Sequence, residues 1–297
     1  MSWFVNTFAG ATLDRASERR LDADWLAARS EDGMAVLFWQ AKPLLTDDGA
    51  GLARLPVRLA AELAGADGLM FLGLQDEQAL FAAEASPAEE PSVAAYGRFE
   101  GLREAALGAM QPGEAGVAAV GKALLEWHGR SRFCSVCGQR SEPAEAGWKR
   151  ICLSCRAEHF PRTDPVVIML PVRGDHCLVG RAASWAPGRF SALAGFVEPG
   201  ESIEEACARE VQEEAGLRVT AVRHHSSQPW PFPTNLMIGL IAEVAEGEAR
   251  ADQTELEAVR WLSRAEARDM LAGRHPEVAS PPPLAIAHQL IRSWAEA

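Results

Sequence analysis

The densest concentration of chemically capable side chains lies between Gly195 and Leu217, in GFVEPGESIEEACAREVQEEAGL. Projected on a helix at about 100° per residue, Ile203, Cys207 and Val211 share one side and predict a core-facing stripe. Glu210 and Glu214 fall inside that apolar arc, with Glu213 at its edge, whereas Glu205 and Gln212 take the opposite side. Acidic pairs on helices usually belong to a solvated face, but these acids sit on the wrong face for that. Burying carboxylates among apolar side chains costs several kcal/mol unless a cation or dense hydrogen bonding compensates. Acids at i, i+3 and i+4 project close together, and such a cluster of hard oxygen ligands suits Mg²⁺ or Mn²⁺. Gly195 and Gly200 flank the loop that enters the helix, and Gly216 stands where a helix-stopping glycine belongs. Arg209 can orient one of the acids or hold a phosphate through its planar fork, and Glu201 can pair with it. Ionised carboxylates such as Glu213 and Glu214 can also accept a proton in general acid–base work.

A second group is built from cysteines. Cys134, Cys137, Cys152 and Cys155 form two CxxC pairs, with Gly138 following the first. Each pair can place two thiolates at a tight turn, so four sulfurs can surround one tetrahedral Zn²⁺. The N-terminal stretch 1–20 lacks a basic region followed by an apolar core and a cleavage site, so the paired cysteines read as metal ligands in a reducing, cytoplasmic setting. Cys177 and Cys207 stand alone and are expected to be buried thiols. A ribbon of this kind either serves structurally or binds nucleic acid, and the acidic chain favours the structural role.

A third feature is Ser227–Pro233, SQPWPFP. Prolines at 229, 231 and 233 favour extended backbone that is ordered before a ligand arrives, and they end or border a strand. Gln228 offers a donor and an acceptor, and Trp230 and Phe232 offer aromatic faces.

The stretch from Gly195 to Leu217 matches the Nudix hydrolase signature position by position: Gly195, Glu201, Arg209, Glu210, Val211, Glu213, Glu214, Gly216 and Leu217 all stand at its spacing. The segments SQPWPFP, LLEWHGRSRFCSVCG (124–138) and Phe160-Pro161 before Asp164-Pro165 resemble the NADH pyrophosphatase branch of that superfamily. The resemblance is strong over 124–297 and extends to the first 120 residues only in general layout. It implies a mixed α/β Nudix fold with a loop–helix–loop motif, a divalent metal, and hydrolysis of the pyrophosphate bond of NADH or NAD⁺ to AMP and the nicotinamide mononucleotide. It further implies metal ligands at Glu210, Glu214, Glu255 and the carbonyl of Ala194, with Glu257 as the alternative to Glu255. Substrate contacts are implied along Gln228, Pro229, Trp230, Pro231, Phe232, Pro233, Thr234 and Asn235, at Ala287, and by stacking on Phe160 and Phe196. Asn235 stands where the family has serine, and Phe160 where some members have tyrosine. The family site is completed across a homodimer, with a structural zinc. Removal of NAD caps from RNA 5′ ends is the alternative activity, and a nucleic-acid-binding sensor is a third reading that the intact glutamates disfavour.

These groups need elements to hold them. Pro165–Val172 reads as a buried strand turning at Arg173-Gly174-Asp175 into Cys177–Gly180, and Arg189–Ala194 leads into the signature loop. Leu236–Val244 and Ala258–Leu262 are strand-like. Ser263 with Glu266 makes a capping box for a helix reaching about Ala272, and 284–294 reads as a last helix behind Pro281–Pro283. Upstream, Met34–Gln40, Leu69–Leu74 and Ala79–Glu84 have strand character, Pro56 limits where a helix can begin within 52–63, and helices are expected near 97–109 and 114–128. The expected division is 1–128, an N-terminal α/β domain; 129–161, the ribbon; and 162–297, the Nudix domain. Composition agrees with a globular fold: 48% hydrophobic and 24% charged residues over 297 positions. A net charge of −12 excludes a broad basic nucleic-acid footprint, and no apolar run reaches the length of a membrane span.

Overall fold

A computed structural model describes residues 6–64, 68–86 and 88–297; residues 1–5, 65–67 and 87 lie outside the description. The chain divides into two units. One holds Asp164–Pro229 and Asn235–Ala297 with Asn6 and Thr7; the other holds Phe8–Thr163 with Trp230–Thr234. The ribbon therefore groups with the N-terminal region, as does a short piece of the proline-rich segment.

In the second unit, the helix α1 (Ala23–Glu31) precedes β1 (Met34–Trp39), β2 (Lys42–Leu45) and β3 (Leu55–Pro56). The helix α2 (Val57–Ala64) begins directly after Pro56, whose fixed φ suits a helix entry. Then follow β4 (Leu69–Gln75), β5 (Gln78–Glu84), β6 (Arg98–Phe99), α3 (Leu102–Leu107) and α4 (Pro112–Arg130). The sheet order is β4-β5-β1-β2-β6 with β3 beside β1, and β1 runs parallel to β5. In α4 the buried residues include Val117, Leu124 and Leu125, Val120 is half-buried, and Gly121 lets the helix lie close against the Phe38 ring. The ribbon is a small sheet of β7 (Ser141–Ala144), β8 (Lys149–Cys152) and β9 (Glu158–His159).

The first unit is a sheet faced by helices on both sides. Its strands are β10 (Asp164–Arg173), β11 (His176–Arg181), β12 (Leu193–Phe196), β13 (Val219–Trp230), β14 (Asn235–Val244) and β15 (Ala258–Ser263). Their order is β13-β14-β10-β11-β15, with β12 also on β10; β10 and β14 are parallel, so the sheet is mixed. Alternation along β10 sends Val167 and Met169 to one face and Ile168, Leu170 and Val172 to the other. The first face packs on α5 (Ile203–Ala215) through Ala206, Cys207, Val211 and Ala215. The second packs on α6 (Arg264–Leu271) and α7 (Ile286–Glu296) through Ala267, Met270, Leu290 and Ile291. Ser263 and Glu266 form the expected capping box of α6. Among the described residues no helix is long and apolar enough to cross a membrane.

Candidate active site

The glutamates stand on α5, and both helix ends are set by short-range chemistry. Ser202 accepts from the Glu205 N–H while Glu205 accepts from the Ser202 N–H, a capping box that starts the helix. At the other end Gly216 takes the left-handed conformation (φ 69°), which favours glycine and closes the last turn. Between them the apolar stripe docks on β10 and β14, which turns Glu210 and Glu214 inward at 8% and 5% exposure. Glu213, at the arc's edge, is exposed. β12 runs beside α5 and has no room for a side chain at Gly195. A Cβ there would stand 1.8 Å from the Glu210 carboxyl carbon, so glycine alone lets the carboxylate lie on the strand.

Arg209 organises the acidic face. Its Nε donates to Glu201 Oε1 at 2.7 Å and one Nη to Glu201 Oε2 at 3.0 Å. The remaining donors reach Glu210 Oε1 (2.8 Å), Glu213 Oε2 (2.9 Å) and the Phe196 carbonyl (2.9 Å). Five bonds occupy the five N–H groups of a guanidinium, so of the two roles open to Arg209 the structure favours orienting the acids over clamping a phosphate. The same pairing holds the Glu201 carboxyl down at about 2 and raises Arg209 itself.

Glu214 is the opposite case. Burial, then the charges of Glu210, Glu255 and Asp252, push its carboxyl up to about 8 against one backbone hydrogen bond from Ala194. Its Oε2 is buried with no hydrogen-bond partner among the described residues. Glu210 is raised as well, first by burial, with Arg209 opposing. An orphaned carboxylate oxygen among other acids is what a divalent cation would satisfy, and the all-oxygen donors fit Mg²⁺ or Mn²⁺. Glu255, exposed in the loop before β15, belongs to this electrostatic cluster; Glu257 does not, being paired with Arg181 at 2.9 Å. Ala194 lies in β12 opposite Ile168.

Asp252 is absent from the sequence reading. Its Oδ2 accepts from the N–H groups of Thr254 and Glu255, and its Oδ1 from Leu256, a turn that holds Glu255 in place. The signal was present as an Asp ahead of a short polar run, a common turn former.

The proline-rich segment departs from its expected role in part. Gln228 is 1% exposed, its Nε2 donating to the carbonyls of Thr7 and Leu284 and its Oε1 accepting from Ile286 N–H. It caps the start of α7, and both of its amide hydrogens are used within the chain. Ala287 is likewise buried in the core at 1%, so its side chain offers no surface to a substrate within the chain. Trp230 and Phe232 pack edge-on with each other and with Phe8, and the Arg103 guanidinium lies 4.1 Å from the Phe232 centroid. Pro231 is buried; Pro229, Pro233, Thr234 and Asn235 are half-buried, Asn235 opening β14 opposite Asp164. Phe160 (60%) and Phe196 (58%) expose open ring faces.

The four cysteine sulfurs all lie within 4.8 Å of one another, with Cys134–Cys155 at 3.6 Å and Cys137–Cys152 at 3.5 Å, and none is in a disulfide. A tetrahedron with Zn–S bonds of about 2.3 Å has edges of about 3.8 Å, so the sulfurs fit one zinc. Among the described residues the glutamate oxygens do not converge as tightly, as expected of a site whose remaining positions go to water and substrate.

Comparisons with known proteins bear on each region. A NUDIX domain model matches residues 162–280, an NADH pyrophosphatase-like rudimentary NUDIX domain matches 32–127, and an NADH pyrophosphatase zinc ribbon domain matches 130–160. The NAD-capped RNA hydrolase NUDT12 of Macaca fascicularis is 37% identical, over 97% of this chain and 73% of its own. The mitochondrial NAD(P)H pyrophosphatase NUDT13 of Homo sapiens is 38% identical over 76% of this chain and 66% of its own. The NAD-capped RNA hydrolase NudC of Mycobacterium bovis is 43% identical over 58% of each. With a relative this similar along almost the whole chain, and with the signature helix folded around its glutamates, the chain belongs to the Nudix hydrolases, in the NADH pyrophosphatase branch that carries a four-cysteine zinc ribbon.

Proposed function

We propose that this enzyme hydrolyses the pyrophosphate bond of NADH or NAD⁺ to AMP and the nicotinamide mononucleotide with Mg²⁺ or Mn²⁺. The observation that carries the reading is the buried Glu210–Glu214 pair with its unpartnered Glu214 oxygen on the signature helix. Glu210, Glu214 and Glu255, with the Ala194 carbonyl, would hold the cation. Once bound, the cation neutralises pyrophosphate charge and makes a water more acidic. Arg209 keeps the acids in position. Glu213 Oε2 is held by Arg209, which leaves Oε1 to take the proton of the attacking water, an assistance typically worth ~10²–10⁴-fold. The exposed ring of Phe196, at the end of β12 beside the signature helix, suits stacking on a base of the substrate. The ribbon holds one structural Zn²⁺, and the reading carries with it a homodimer.

NAD-capped RNA presents the same bond in a larger molecule, and the similarity to NUDT12 and NudC supports it as a second substrate. Product analysis of the purified protein with Mg²⁺ and a panel of dinucleotides tests the proposal. NADH should yield the two mononucleotides, and Glu214→Gln should lower turnover by at least ~10²-fold with the fold intact. Near-parental NADH hydrolysis by that variant, or cleavage of other dinucleotides alone, would overturn it.

A further inference from the structure

Around the ribbon two basic side chains are already neutralised. Lys149 is ion-paired with Glu145 and Glu158, and Arg130 lies 3.9 Å from Glu126. Arg132, Arg140 and Arg150 are different. All three line a cleft of about 620 Å³ made entirely of second-unit residues, between the end of α4, the start of β4 and the ribbon strand β7. Arg150 is 6% exposed, yet among the described residues none of its hydrogen bonds goes to a carboxylate: Nε donates to Ser141 Oγ (2.9 Å), Nη1 to His128 Nδ1 (2.8 Å) and Nη2 to the Ser141 carbonyl. Because a guanidinium only donates, His128 Nδ1 must accept, so this imidazole is neutral and gives its other proton to the Gly147 carbonyl. Two of the five Arg150 N–H groups remain without a partner among the described residues.

Arg132 and Arg140 are exposed, and neither side chain has a hydrogen-bond or ion-pair partner among the described residues. Their charges repel that of Arg150, and Glu142 is the acid acting on it in the other direction. Glu142 and Glu84 also line the cleft, but neither forms an ion pair with the arginines among the described residues. A buried guanidinium without a counter-ion is costly, and three forks around one concavity match the geometry of a tetrahedral oxyanion. We propose that this cleft binds a phosphate group, through the Arg132 and Arg140 forks with Arg150 at its floor. The phosphate is either free, as inorganic phosphate or on a mononucleotide, or part of an RNA backbone.

The test uses the full-length, zinc-loaded chain without added Mg²⁺ or Mn²⁺. Binding of inorganic phosphate, AMP and a short single-stranded oligoribonucleotide with a 5′-hydroxyl is followed by calorimetry across a salt series. Saturable binding of phosphate or AMP identifies a free phosphate; binding of the oligonucleotide alone identifies the backbone. Whichever probe binds, the double variant Arg132→Gln, Arg140→Gln should weaken it by at least ~10-fold. For RNA the salt dependence should flatten by about 1.4, two contacts at about 0.7 each. The corresponding double lysine variant should recover part of the affinity, Arg130→Gln should leave it unchanged, and NADH hydrolysis with Mg²⁺ should be unaffected by the double glutamine change. Failure of all three probes to bind, or equal binding by the double glutamine variant, would overturn the assignment.

Discussion

Glu214 is held in the fold at a cost to the fold. Its carboxyl sits at about 8, well above the ordinary carboxylate value, through burial and the surrounding acids. A raised acid contributes full stability below the unfolded value and loses it as pH climbs to the folded one. In metal-free buffer the parent should therefore lose stability between about pH 4.5 and pH 8. Glu214→Gln removes that loss and should melt higher than the parent at pH 8, by on the order of 5 °C, with the gap closing toward pH 4.5. Calorimetric melting across that range checks it; a variant that melts lower at pH 8 would contradict the burial argument. Gly195 is the companion constraint. A methyl at this position meets the Glu210 carboxyl carbon at 1.8 Å, so Gly195→Ala must displace a carboxylate by an ångström or so. Misplacement on that scale costs roughly 10²-fold in rate, measurable as kcat for NADH while zinc content stays at the parental level.

At the level of elements, α5 is fastened at each end independently of its chemistry. Ser202→Ala removes one half of the capping box and should cost about 1 kcal/mol in chemical denaturation, with turnover little changed because the glutamates lie further along the helix. The ribbon is fastened differently. Its strands are short, and its four sulfurs converge on one point, so metal binding and folding of this piece are coupled. Purified protein should carry one tightly held zinc per chain, and Cys152→Ser should release it and lower the melting temperature. Elemental analysis that finds no zinc in an active, well-folded preparation would contradict this.

For the whole molecule, charge separates the two substrates. A chain of net charge −12 repels a polyanion, and each basic contact that offsets this makes binding salt-dependent. NADH has only two phosphates, so its kcat/KM should change little between about 50 and about 200 mM salt, whereas that for NAD-capped RNA should fall far more steeply. Competition between the two at matched concentration and physiological salt should favour NADH. A clear preference for the capped RNA would make decapping the primary activity, with the Arg132–Arg140–Arg150 cleft the first place to look for its RNA path.

Much of this was legible in the residue string because it is local. Helical period places Glu210 and Glu214 within the apolar arc, CxxC spacing places four thiols at two turns, and Ser263 with Glu266 marks a helix start; each rests on neighbours a few residues apart. What the string could not settle depends on partners distant in sequence. The pairing of β11 with β15 aligns Arg181 with Ala258, which brings Glu257 to Arg181 and leaves Glu255 to the acidic cluster. The α7 N-terminus draws Gln228 into the core, and Phe8 and Arg103 occupy the aromatic faces that proline-rich spacing alone offered to a ligand. Five bonds from Arg209 decide between orienting acids and holding phosphate, and only the folded loop brings Phe196 and Glu201 within its reach. Periodicity says which way a side chain points, but tertiary packing decides what it meets there.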